Sequence, residues 1–444
     1  MTVQTRASDA EIYSGGVESA YAWRRLLISL LLATLGGVGL WSTIVALPSI
    51  QLEFGVGRAS ASLPYTATSI GFGLGALLMG RFADRAGIVV PIRCGALTLC
   101  VGYIAAAYTT SLWQFALVQG VLIGLLGCSA TYGPLVADVS HWFSRNRGIA
   151  VGVCASGNYL AGTVWPPILQ HFIDTVGWRQ THIGIGIFCG VTMLPLSLLL
   201  RRPTPVAHGT APNKTPASGL RASRTSPNVV QALLIIAGFA CCIAMAMPQV
   251  HIVAYCADLG YGVARGAEML SLMLGFGIIS RLTSGWVSDR IGGVRTMLIG
   301  SALQCLTLIF YLPSDGLTSL YVVSALFGLS QGGIVPSYAM IIREYFPPQE
   351  AGTRFGIVLL ATIVGMAVGG WMSGAIYDLT GSYQAAFING IAWNVLNLSI
   401  ALWLLRQPRG RSGDSATIDR TTSSAEIAHK SARTALSTWR ETSR

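Results

Sequence analysis

Residues 80–87 read GRFADRAG and residues 285–292 read GWVSDRIG. Both are G-x-x-x-D-R-x-G, both close an apolar run, and 205 residues separate them. A phrase repeated at that interval in a chain of 444 residues marks an internal duplication, one copy in each half. Composition says what kind of halves these are. Hydrophobic side chains make up 52% of the chain and charged ones only 11%, against roughly 25% charged in a soluble domain. The chain is a membrane protein.

Outward from the two phrases, apolar runs of about 20 residues, long enough to cross a core of roughly 30 Å as helix, recur along the chain. Twelve spans are predicted, over 25–48, 61–82, 88–109, 112–137, 147–170, 181–200, 229–252, 266–287, 295–313, 318–342, 353–377 and 384–405. Leu26 to Leu35, after Arg24-Arg25, resembles a secretory leader, but the run continues to Pro48 without a small-residue cleavage site and is read as the first span. Residues 201–228, RRPTPVAHGTAPNKTPASGLRASRTSPN, are too polar to bury a core and form a cytoplasmic linker between six spans and six. The predicted fold class is an all-α membrane protein of twelve transmembrane helices in two six-helix pseudo-repeats. The bundles cover 24–200 and 229–405, and residues 1–23 and 406–444 are expected to be disordered. Each copy of the phrase follows the second span of its half, so the repeats are parallel, related by an axis along the membrane normal.

Basic residues set the orientation, because Lys and Arg accumulate in short cytoplasmic loops. With the N-terminus in the cytoplasm, cytoplasmic segments hold Arg24, Arg25, Arg81, Arg85, Arg93, Arg145, Arg147, Arg201, Arg202, Arg290, Arg295, Arg343 and Arg354. The outer loops hold only Arg58, Arg179 and Arg265, so both termini are expected inside. The net charge of +11 is then a topology signal, and no nucleic-acid partner is needed to explain it. Nine cysteines without C-x-x-C spacing read as small core residues, not as a disulfide framework or metal site. No metal cluster, nucleophile beside a base, or phosphate-binding loop is legible, so an enzyme is not expected and no cofactor is implied. The expected location is the bacterial inner membrane, as a multi-pass protein that works as a monomer among membrane lipids.

The repeated phrase is similar to the cytoplasmic loop signature of the major facilitator superfamily, and the resemblance covers about residues 20–405. Shorter phrases resemble its monocarboxylate-porter-like branch: HWFSRNRGIAVGVCASGNYLAG leading into the fifth span, GWRQTH before the sixth, MPQVHIVAYCADLG closing the seventh, and GAIYDLTGSYQAAF between the last two. In the signature, Gly80 and Gly285 allow close helix contact. Asp84 and Asp289, beside Arg85 and Arg290, can accept bonds from a neighbouring helix N-terminus, where an anion is favoured. Such contacts would hold an inner gate shut; the plainer reading is a polar turn with arginines obeying topology.

Arg281 stands within LMLGFGIISRLTSGWVSDRIGG, residues 272–293. It lies eight residues before Asp289, roughly 12 Å from the cytoplasmic edge at about 1.5 Å per residue, and so near the midplane. Its counterpart in the first half is Ala76, so the charge is no part of the duplicated scaffold. An arginine there costs about 2.5 kcal/mol or more and normally faces a cavity or a partner. None of the eighteen acids lies in the middle of a span. A bound anionic substrate is the natural counterion, its carboxylate matching the guanidinium fork; backbone carbonyls of a broken helix or a lipid are the alternative. The family resemblance implies the anchor role, since an arginine in the eighth helix holds the substrate carboxylate there.

Asn158, Gln331, Tyr132 and Tyr338 lie at similar depth and can hydrogen-bond a carboxylate or hydroxyl, although each can equally bond helix to helix. Trp41 and Trp165 read as packing or interfacial residues. His251, at the outer end of the seventh span, is either part of an outer gate that titrates near neutral pH or a satisfied structural histidine. Animal members of the branch carry a lysine in the first helix and an aspartate one turn before the arginine. This chain has no lysine in that helix and Gly277 in that turn, so their proton relay is not carried over. The chemistry points to a transporter of a small organic monocarboxylate by alternating access, with a proton or counter-anion as co-substrate. An exporter of drug-type molecules and a carboxylate receptor that moves nothing are the competing readings.

Overall fold

The computed structural model describes residues 17–202 and 226–407. Positions 1–16, most of the expected linker (203–225) and the tail from 408 lie outside the described residues. Twelve helical rods are described: α1 (Ala20–Phe54), α2 (Arg58–Ala86), α3 (Val89–Ala107), α4 (Leu112–Trp142), α5 (147–176), α6 (Trp178–Leu198), α7 (Pro227–Asp258), α8 (Val263–Ile291), α9 (Gly293–Tyr311), α10 (Leu317–Tyr345), α11 (Pro348–Thr380) and α12 (Tyr383–Arg406). Ten are long and apolar enough to cross a membrane. The other two are α2, which carries Arg58, Arg81, Asp84 and Arg85, and α5, which is interrupted at Ser156.

Local chemistry sets the boundaries. Ser19, Ser111 and Ser382 cap α1, α4 and α12 by accepting the amides of Ala22, Gln114 and Gln384. Gly55 and Gly381 end α1 and α11 in the left-handed region, at φ 61° and 69°. The cap at Ser19 starts α1 inside the segment expected to be disordered. Glu18, just before it, accepts the Asn146 amide at 2.7 Å and donates its own amide to the Trp142 carbonyl, which ties the entry of the chain to the end of α4.

Four rods are broken rather than straight. α1 breaks at Gly37, α5 at Ser156, α10 at Gly332–Gly333, and α4 changes to π-helix over Gln119–Gly127 and then to a tight turn over Cys128–Thr131. α2 packs closely against the broken stretch of α4. A Cβ on Gly71 would sit 2.1 Å from the Gly120 carbonyl oxygen, and one on Gly75 equally close to that of Leu125. The second half repeats this clamp with the small residues on the opposite partner. There Gly328 and Gly332 of α10 meet the carbonyls of Met273 and Gly277 on α8.

Arg25, expected as an ordinary topology charge, is buried. Its Nε and Nη2 bond both oxygens of Asp138 on α4, at 2.7 and 2.8 Å, and its guanidinium lies over the Trp142 ring. All nine cysteines are free, six of them buried.

Candidate functional site at the seam of the two halves

α8 carries Arg281 against the break in α5. Its Nη1 donates to the Ala155 carbonyl at 3.2 Å, next to the interruption at Ser156. The guanidinium lies over the Tyr159 ring, 4.4 Å from the centroid, with the Tyr132 phenol also beside it. Gly277 explains this arrangement. A Cβ there would come within 2.6 Å of the Tyr159 ring, so the missing side chain is what lets the ring slide under Arg281. An aromatic face fills the space that a side chain at position 277 would occupy.

Among the described residues Arg281 makes no ion pair with an acid, and its Nε is buried without a hydrogen-bond partner. The backbone contact belongs to the plainer of the two sequence readings, and it and the two phenols engage only part of the guanidinium, which has five donor hydrogens. The remaining fork can take an anion. Tyr132 and Tyr159 come from the first half and Arg281 from the second, so the cation bridges the seam.

The other predicted contacts divide. Tyr132 is beside Arg281, and its ring packs on Phe72 of α2 at 5.8 Å. Asn158 turns towards the break in α1: its Oδ1 is buried without a partner, 3.6 Å from where a Cβ on Gly37 would stand. Gln331 is fully buried, accepts from Gln249 of α7 at 2.6 Å, and keeps an unpartnered Nε2. Tyr338 is not brought to Arg281. Its hydroxyl faces the interior of the second half, towards Cys241 and Asn397. Trp41 and Trp165 join α5 to α1 through the carbonyls of Asn158 and Thr34.

The signature residues make none of the expected contacts in this conformation. A Cβ on Gly80 or Gly285 would meet nothing within 4 Å. Asp84, Arg85, Asp289 and Arg290 are exposed, and neither aspartate accepts a hydrogen bond among the described residues. Arg290 rests on the Trp286 ring, and Asp84 borders a recess of about 730 Å3 with Asp138, His141 and Arg202. The helix-capping role expected of Asp289 is filled by Glu344, whose Oε1 accepts the Gly293 amide at 2.7 Å.

The opposite end is latched. Arg58, at the start of α2, pairs with Asp258 of α7 at 2.6 Å and donates to the Tyr383 hydroxyl of α12 at 2.6 Å. The Asp378 carboxylate, near the end of α11, accepts the amides of Arg58 and Ala59 at 2.8 and 2.9 Å. His251 is fully buried behind this cluster, its Nδ1 3.2 Å from the Tyr383 hydroxyl and its Nε2 2.7 Å from the Gly370 carbonyl. Sequence reasoning placed Arg58 in an outer loop as one charge of the topology count. The assembly of Arg58, Asp258 and Asp378 leaves a trace in two glycines: a Cβ on Gly57 would lie 2.6 Å from Asp378, and one on Gly374 would lie 2.8 Å from the Arg58 backbone.

The Major Facilitator Superfamily model matches residues 29–313 and 269–443. The chain is 27% identical over 336 residues to monocarboxylate transporter 13 of Bos taurus, covering 74% of this chain and 75% of that one. It is 24% identical over 334 residues to the agnestins efflux protein AgnL12 of Paecilomyces divaricatus, covering 75% of each. Among solved structures, a mutant peptide transporter POT in complex with sulfate superposes with a TM-score of 0.68 at 15% identity, over 87% of this chain and 96% of that one. A bacterial homolog to the human lysosomal transporter Spinster, inward-facing and occupied, gives 0.63 at 16%, over 89% and 100%. The curated relatives named here are mammalian and fungal, so they lend no support to the expected bacterial inner membrane; a multi-pass membrane protein is what stands. From its duplicated signature, its two six-rod halves and the family model that spans both, the chain belongs to the major facilitator superfamily of membrane transporters.

Proposed function

We propose that the protein is a secondary active transporter of a small organic monocarboxylate, working by alternating access, with Arg281 anchoring the carboxylate. One observation carries this: a guanidinium at the seam of the halves, clasped by two tyrosines, with a buried free Nε and no acid paired to it among the described residues. Tyr132 flanks the anion, and Asn158 and Gln331 supply polar groups at the helix breaks. Tyr338 supports the second half from within. In this reading both termini are cytoplasmic, twelve rods cross the membrane, the 201–228 segment links the bundles, and the monomer is the working unit with a proton or counter-anion as co-substrate. Gly80, Asp84, Arg85, Gly285, Asp289 and Arg290 form the inner gate, and the Arg58 cluster with His251 forms the outer one.

Arg281→Gln is the test. Removing a charge with no acidic partner strands no carboxylate and relieves a burial cost. The variant should keep its melting temperature in detergent and lose stabilisation by short monocarboxylates, which in the parent raise apparent stability by mass action. Arg281→Lys should bind more weakly, having lost the paired donor geometry. A Gln variant that still responds to carboxylates, or that melts early, rejects the anchor.

Export is the second reading, favoured by the similarity to a fungal protein named for efflux. Arg281 serves either direction, so counterflow in proteoliposomes of known orientation separates them. Binding without counterflow would instead mark a receptor.

A further inference from the structure

We infer that His251 binds a proton and that its protonation releases the Arg58 latch, opening the end of the transporter remote from the repeated signature. The inference rests on the alternating-access reading above and goes beyond it by giving one gate a ligand.

The hydrogen-bond roles around the ring fix its protonation. Guanidinium groups only donate, so the Tyr383 oxygen accepts from Arg58, and its single hydrogen is left to point at His251 Nδ1. The Gly370 carbonyl only accepts, so Nε2 carries the ring hydrogen. The neutral Nε2–H tautomer is the one form that satisfies every atom in the series from Arg58 through Tyr383 and His251 to Gly370.

A second ring proton, taken up by the Nδ1 lone pair, sets N–H against O–H. Tyr383 must then turn its hydrogen away, and a new positive charge stands behind Arg58. Charged and titratable groups face this pocket from each helix packed on it: Arg58 from α2, Asp258 and Tyr255 from α7, Tyr377 and Asp378 from α11, and Tyr383 from α12. Tyr65 of α2 packs on Gly370. Neither acid hydrogen-bonds the ring: Asp258 pairs with Arg58, and Asp378 is taken up by two backbone amides. His251 is also 0% exposed, so water does not solvate an imidazolium there. The latched arrangement therefore has no acceptor for a second ring proton, and by linkage a proton bound there shifts the population away from it.

The amides of Arg58 and Ala59 donate across the seam to Asp378, and their hydrogen exchange reads the latch directly. Exchange is followed by mass spectrometry on the full-length protein in lipid nanodiscs, without substrate, at about pH 7.5 and about pH 5.5, either side of the ordinary histidine range and corrected for intrinsic rates. Protection of these amides should be lost at the lower pH. His251→Gln supplies an amide donor and a carbonyl acceptor but cannot take up a proton in this range, and should keep the amides protected at both. Should that variant fail to fold, Tyr383→Phe removes the hydroxyl that couples ring to latch and should leave weaker protection that no longer varies with pH. Equal protection of the parent at both pH values, or the same acid-induced loss in the variant, overturns the proposal. With no carboxylate present, the outcome is independent of whether Arg281 anchors one.

Discussion

Gly374 and Gly80 are both glycines on helices of the seam, at opposite ends of the molecule, and they meet opposite surroundings. A Cβ on Gly374 would stand 2.8 Å from the backbone of Arg58 and Ala59 in the other half, whereas one on Gly80 would touch nothing. The same contrast holds for the acids: Asp258 and Asp378 are paired across the seam, while Asp84 and Asp289 face solvent. Of these two sets of residues, one joins the halves and the other does not. That is the asymmetry an alternating-access protein must be able to invert, and it makes the latched end the costly one to disturb.

Arg58→Ala should give the largest effect. It strands Asp258, removes the donor to Tyr383 and should cost about 2–3 kcal/mol, with transport falling more than about tenfold. Thermal melts and uptake in proteoliposomes check it, and near-normal values for both would erase the distinction between the ends. Next comes a matched pair of overpacking changes. Gly374→Val should destabilise by about 1–3 kcal/mol, because the obstacle is backbone. Gly80→Val should stay within about 0.5 kcal/mol of the parent in stability yet slow transport, because it obstructs a contact made only when this end closes. A Gly80 variant with full activity would mean the signature end never closes tightly. The smallest change in stability is expected of Asp84→Asn, which has no hydrogen bond to lose among the described residues; melting and carboxylate affinity should be unchanged while turnover drops, and Asp289→Asn should act in the same direction. Normal turnover in the double variant would remove the signature from the gate.

Much of this was legible in the sequence. Twelve apolar runs, a polar interval and one repeated phrase are enough to lay out the rods, because a helix that spans lipid must satisfy its own backbone and needs a fixed length of hydrocarbon. The edges fell short where helices continue past the apolar run, as α1 does from Ala20 to Phe54. Arg281 was legible for the same reason that it is costly. Its neighbour Tyr159 was not, since an aromatic residue in an apolar run reads as core; the signal lay in Gly277, whose absent side chain makes room for the ring. The latch was least legible, because Arg58, Asp258 and Asp378 are hundreds of residues apart in places and each alone looks like a loop charge.

The buried pair of Arg25 and Asp138 has a consequence for how the chain is made. Its members are 113 residues apart, and at roughly 5–20 residues per second the ribosome needs on the order of 10 s to deliver the aspartate after the arginine. For that interval Arg25 is a cation in the first turns of the first rod with no carboxylate yet made to pair with it. Once α4 is threaded, the same side chain is drawn under Trp142 and becomes an interior clamp that closes the first bundle. One residue is thus a lone charge early in synthesis and later the clamp that seals its half.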